Sequence, residues 1–217
     1  MIRSTLTALC LAGLAACGDP YDGPIGRDPV VVSRFGAVGA VPTANGTFPG
    51  IAAADTTVVS DGAGNGYAFA YAGADAGDFG GTAGPANLAV AGLLPGTAVG
   101  ATPTTGTARM TGTYRMVVID NASATTAPET WTVSRPTGAV TADIDFATGA
   151  LTGASADGAL TLTASGDAGF SQGFAGDVTY RGTAGRFAGV IGPDDAVAAL
   201  TGSGGGTFYA GGVTLGR

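Results

Sequence analysis

From residue 107 onward the chain alternates apolar and polar positions with a period of two, the pattern of strands with one buried and one wet face. Met110, Gly112, Tyr114, Met116 and Val118 share one face, while Arg109, Thr111, Thr113 and Arg115 share the other. The same alternation sets Val140, Ala142, Ile144 and Phe146 against Thr141, Asp143 and Asp145, and Leu160 and Leu162 against Thr161 and Thr163. Phe174, Val178 and Tyr180 oppose Asp177, Thr179 and Arg181. Further strands are expected at 130–135, 186–191, 196–201 and 207–215, separated by short clusters of Gly, Pro, Asp and Asn. The count comes to eight. Eight antiparallel strands close into a barrel whose interior side chains just fill, and closure removes the exposed edges that invite aggregation. The fold class expected is therefore all-β, with a C-terminal eight-stranded antiparallel up-and-down barrel over residues 106–217.

Upstream the pattern weakens. Residues 29–105 form a Gly/Ala-rich region with short β-like pieces at 30–35, 56–60, 66–72 and 87–91, separated by Gly-containing turns. No well-capped helical period appears, and the glycines argue against long helices. Residues 17–28 have no apolar period and are rich in turn formers, so they are expected to be a flexible tether spanning ~20 Å on average. The first residues carry one arginine and then an apolar run from Leu6 to Ala16, too short to span a bilayer and suited to a signal peptide over residues 1–16.

Composition narrows the chemistry. The chain has 40 glycines, 9 basic residues, all arginine, 16 acidic residues and a net charge of -7, which makes nucleic acid an unsuitable partner. Histidine is absent. Gly169-Phe170-Ser171-Gln172-Gly173 matches the nucleophile pattern Gly-x-Ser-x-Gly, but with neither histidine nor lysine the serine has no base, and a strand entering a turn accounts for it. Asp143 and Asp145 fall on one outward face with no apolar pocket to separate their pKa values. Asp61, Asn65 and Gly66 fit part of a calcium loop, but Ala63 occupies the third position and the closing glutamate is missing, so a solvated turn is expected there and also at Asp194-Asp195. Zinc and copper lack histidine and thiol donors. Haem could be held only through a phenolate of Tyr67, Tyr71, Tyr114, Tyr180 or Tyr209, and these, like Trp131 and Phe170, are accounted for as core or rim aromatics. Gly62 to Gly66 and Gly202 to Gly206 are turns with no following βαβ unit. The expectation is no catalytic site, no metal site and no cofactor.

Two resemblances give these segments a context. Leu14-Ala15-Ala16-Cys17 resembles the lipobox of bacterial lipoprotein precursors, which implies cleavage before Cys17 and a thioether-linked diacylglycerol on its sulfur. Two or three acyl chains, at about 0.8 kcal/mol per buried methylene, would make that attachment lasting. Cys10 would leave with the signal, so the mature chain of roughly 200 residues would keep no free thiol. Gly18 after the cysteine, in place of aspartate, resembles the outer-membrane sorting pattern of Gram-negative lipoproteins.

The segments 103–114, 142–153 and 184–196 resemble the opening strand, a strand-turn-strand and the closing Gly-Pro turn of the β-barrel domain of transferrin-binding-protein-B-like surface lipoproteins. The resemblance covers about the last 110 residues. It implies a small barrel exposed on or tethered under the outer membrane, of a kind whose members bind host proteins or haem carriers mostly through loops. Ala198-Ala199-Leu200 stands where an acidic residue and glycine usually follow the turn, so the fold carries over and transferrin binding does not. The function expected is a non-enzymatic binding protein, held by lipid on Cys17 at the outer membrane or cell surface. The alternative is a structural envelope lipoprotein facing the periplasm.

Overall fold

Twelve strands run through the residues described by the computed structural model, which are 56–72, 88–121, 131–165 and 173–217. They are β1 (Thr56–Ser60), β2 (Gly66–Ala72), β3 (Leu88–Leu93), β4 (Thr107–Asp120), β5 (Thr132–Ser134), β6 (Thr137–Asp145), β7 (Ala150–Ser155), β8 (Leu160–Ala164), β9 (Phe174–Tyr180), β10 (Thr183–Ile191), β11 (Asp195–Gly204) and β12 (Thr207–Gly216). The expected signal peptide, the tether with Cys17, and the β-like piece at 30–35 lie outside the described residues.

From β6 each strand pairs antiparallel with the next, through to β12, and β12 returns to pair with β4 from Phe208↔Ile119 to Gly216↔Thr111. The result is a closed up-and-down barrel of eight staves. Alternation dictates which side chains fill it: in β4 the even positions Met110, Tyr114, Met116 and Val118 point inward, joined by Val140, Ile144, Leu162, Val178, Leu200 and Val213 from neighbouring strands. Two hairpins close through two-residue turns, Arg181-Gly182 (φ 47 and 82) and Gly205-Gly206 (φ 58 and 85), which both need positive φ to match the twist of the flanking strands.

The eight staves differ in one member from the eight read in the sequence. The segment at 130–135 is not a separate stave. β5 and β6 lie in one register against β4, with Val118↔Ser134 on one side of the break and Arg115↔Thr137 on the other. Pro136 interrupts the ladder because it has no N–H to donate, although its carbonyl still accepts from the Met116 N–H at 3.2 Å. The missing stave is β7, whose ALTGAS alternates too weakly in apolarity to be counted with the strong segments.

Outside the barrel a three-stranded sheet, in the order β1-β2-β3, packs on the backs of β11, β12 and the end of β4. Tyr67, Phe69, Ala89 and Ala91 from this cover meet Val117, Ile119, Val197, Ala199 and Ala210 from the barrel. Here the two-residue alternation disappears, since Met116 to Ile119 and Ala196 to Leu200 are buried on both faces. The Tyr67 ring lies on Gly212, where an added Cβ would come within 2.4 Å of the ring carbons.

Candidate functional site

Side chains occupy the barrel interior. Tyr114, Tyr180 and Tyr209 stack edge to face near one end, with ring centroids 6.3 and 5.8 Å apart, while Phe174 and Phe187 sit 5.3 Å apart toward the other. Three of the five rings rest on a glycine directly across the ladder, in the pairs Tyr114↔Gly138, Phe187↔Gly176 and Tyr209↔Gly202. At all three glycines a Cβ would collide with the ring, so the small residue is what admits the large one. The Tyr209 hydroxyl donates to the Thr183 carbonyl at 3.1 Å. Arg181 lies over the Tyr180 ring at 5.2 Å and caps this end.

These positions decide the haem question for three of the five tyrosines. Burial raises the pKa of Tyr114, Tyr180 and Tyr209, so each stays a protonated phenol in a filled core and not a phenolate facing a cavity. Tyr67 is buried under the cover sheet and its phenol is likewise raised by burial; Tyr71 is half-buried in that sheet. The five are not brought to one site.

The carboxylates serve turns and ion pairs. Asp61 accepts from the Ala63 and Asn65 amides and from the Asn65 side chain, which holds its pKa below the ordinary range and closes a turn. Asp145 accepts from the Ala147 amide at 2.9 Å in the β6–β7 turn, its pKa lowered first by the Thr148 side chain. Asp143 lies 3.8 Å from Arg109, and Asp194 lies 3.7 Å from Arg217. Among the described residues no group of three His, Cys, Asp or Glu side chains is placed to hold a metal ion. Gly169 to Gln172 and Phe170 lie outside the described residues, and Trp131 is buried in the outer cluster beneath the cover.

The outside of the barrel carries an ordered set of polar side chains. The register lines up one row across six strands, Arg109↔Asp143↔Thr152↔Thr163↔Asp177↔Arg186, an Arg-Asp-Thr sequence followed by its mirror image. At one end of the row a shallow depression of about 320 Å³ is lined by Thr107, Arg109, Asp143, Asp145 and Thr152. Both ion pairs in the row are long and exposed, at 3.8 and 3.9 Å. Sequence alternation finds the outward face of each strand but cannot align these residues, because alignment needs the inter-strand register. A second depression of about 200 Å³ lies where Thr97 to Thr102 crosses β10, tied by the Thr102 hydroxyl donating to the Ile191 carbonyl at 2.6 Å.

The fold thus defines the class as a closed antiparallel meander barrel, filled by its own side chains, with a cover sheet on one flank. No family model and no curated protein matches the sequence. Among solved structures the chain is similar to a point mutant of the vaccine antigen transferrin binding protein B from Actinobacillus pleuropneumoniae H49, with a TM-score of 0.50 and 11% identity over 88% of this chain and 96% of that one. It is also similar to a point mutant of transferrin binding protein B from Haemophilus parasuis Hp5 (TM-score 0.47, 12% identity, 88% of this chain and 44% of that). A third likeness is to isotype 1 of the same protein from serogroup B Neisseria meningitidis (0.44, 14%, 78% and 36%). The chain spans less than half the length of these last two. The fold is that of a transferrin-binding-protein-B-like barrel, as the sequence resemblance implied.

Proposed function

We propose that this chain is a non-enzymatic binding protein, carried on the outer membrane by lipid on Cys17 and engaging a protein partner through its outer surface and loops. The observation that carries the reading is the filled barrel: tyrosine and phenylalanine rings occupy the space in which a barrel of this size would hold a small ligand. The likeness to transferrin binding protein B, whose name states a protein partner, supports the same partner class. The barrel over residues 106–217 and the Gly/Ala-rich region over 29–105 are proposed as successive units behind a tether at 17–28 and a signal peptide at 1–16.

Added protease on intact cells tests the anchoring and the exposure, with Cys17→Ala as the unanchored control. Digestion of the anchored protein at the surface, and its release in the variant, is the expected result. Protection of a lipid-attached protein would overturn surface exposure and support the alternative, a structural envelope lipoprotein facing the periplasm. Limited proteolysis of the purified chain checks the boundary near residue 105, where a resistant C-terminal fragment is expected and uniform digestion would count against it.

A further inference from the structure

Of the six arginines among the described residues, four have a partner. Arg109 lies 3.8 Å from Asp143, Arg186 lies 3.9 Å from Asp177, and Arg217 lies 3.7 Å from Asp194 while donating to the Thr107 carbonyl. Arg181 rests on the Tyr180 ring. Arg115 and Arg135 differ: both are exposed, and neither has a carboxylate within ion-pair distance among the described residues.

These two stand side by side. Arg115 pairs with Thr137, and the register running through to Val118↔Ser134 sets position 135 opposite Val117, so the two arginines are diagonal neighbours across one ladder. Both point outward, because Val117 and Val133 on the same parity belong to the outer cluster. Diagonal neighbours have Cα atoms roughly 7–8 Å apart, within the joint reach of two long side chains. Two like charges at that spacing repel unless an anion lies between them.

A second donor lies beside Arg115. The Tyr67 hydroxyl is fully buried next to the Arg115 backbone, yet it makes no hydrogen bond of good geometry. Burial raises the pKa of this phenol, so at neutral pH it retains its proton and remains a donor. A buried donor with no acceptor is uncommon and costly.

We propose that Arg115 and Arg135, beside the Tyr67 hydroxyl, form a binding site for a phosphate group. A carboxylate presents its two oxygens in one plane, matched to one guanidinium fork, whereas a tetrahedral phosphate directs its oxygens to several sides and suits two forks at once. The group comes either from a soluble phosphate compound or from a phospholipid headgroup, and the two sources are separable.

The chain carries its own reporter, because Trp131 is its single tryptophan and lies on the same outer face as Arg135. The experiment uses the full chain with Cys17→Ala, so that no lipid anchor contributes. Inorganic phosphate is titrated against Trp131 fluorescence, with chloride at matched ionic strength as control. In parallel the chain is sedimented with vesicles of phosphatidylglycerol or of phosphatidylcholine. A saturating response to phosphate, roughly tenfold weaker in Arg115→Gln or in Arg135→Gln, is the expected result for a soluble source. Sedimentation with phosphatidylglycerol alone, lost in the double variant and without a response to free phosphate, assigns the headgroup. A response equal to that of chloride and no selective sedimentation would overturn the site, as would full binding by the double variant. Arg115→Lys, which keeps charge and loses the fork, is expected to fall between, and thermal unfolding of each variant separates loss of binding from loss of fold.

Discussion

At single positions the molecule is governed by what each ring packs against, across a ladder or between sheets. Tyr209 fits because position 202 has no side chain, and Tyr67 fits because position 212 has none. Gly212→Val is therefore expected to push the Tyr67 ring off the barrel and destabilise the fold by about 1–3 kcal/mol, the range for overpacking, which denaturant unfolding will measure. Thr201 offers the opposite case. Its hydroxyl is buried on the outer face of β11 with no hydrogen-bond partner. Thr201→Val keeps the shape and removes the unsatisfied group, so a gain of about 1 kcal/mol is expected in the same measurement. Neither position stands out in the sequence, where Gly212 is one glycine of 40 and Thr201 resembles every other outward threonine.

For elements, the hairpin between β7 and β8 shows how a turn couples to pH. Asp157 accepts from the buried Ser155 hydroxyl and from the Ala159 amide, and the Ser155 bond foremost holds its pKa below the ordinary 3.8. A depressed folded-state pKa contributes stability that is present above the unfolded value and lost as pH falls through the folded one. Unfolding free energy should thus drop as pH is lowered from ~4 through the folded pKa, and Asp157→Asn should flatten that portion of the curve. The strands themselves were legible wherever one face is wet, as in β4 from Thr107 to Arg115 and in β6. Legibility failed at β5 and β7. A proline that merely omits one hydrogen bond looks like a boundary in sequence, and a strand with the burial pattern iBeieB offers little contrast between its faces.

For the whole molecule, closure and burial hold the barrel, and surface charge contributes little. The three ion pairs among the described residues span 3.7 to 3.9 Å between side chains that are largely exposed, a geometry worth at most about 1 kcal/mol each and screened by salt. Raising ionic strength is expected to leave the thermal midpoint nearly unchanged, and a fall of more than a few degrees would show that the charged row contributes more than its geometry suggests.

The period-two pattern and the turn residues were enough to predict an all-β fold and seven of the eight barrel staves, with β5 read in place of β7, because strand faces and tight turns are local consequences of side-chain type. The absence of histidine and lysine likewise denied the Gly-x-Ser-x-Gly segment a base without any coordinates. Register was beyond their reach. Which residues stand opposite one another is a property of paired strands, so only the tertiary structure placed the tyrosines on their glycines, aligned the Arg-Asp-Thr row and set Arg115 beside Arg135. The strands of the cover sheet were legible at 56–60, 66–72 and 87–91, but their packing on the barrel was not: a strand buried on both faces loses its alternation, and what lies on its second face comes from a distant part of the chain.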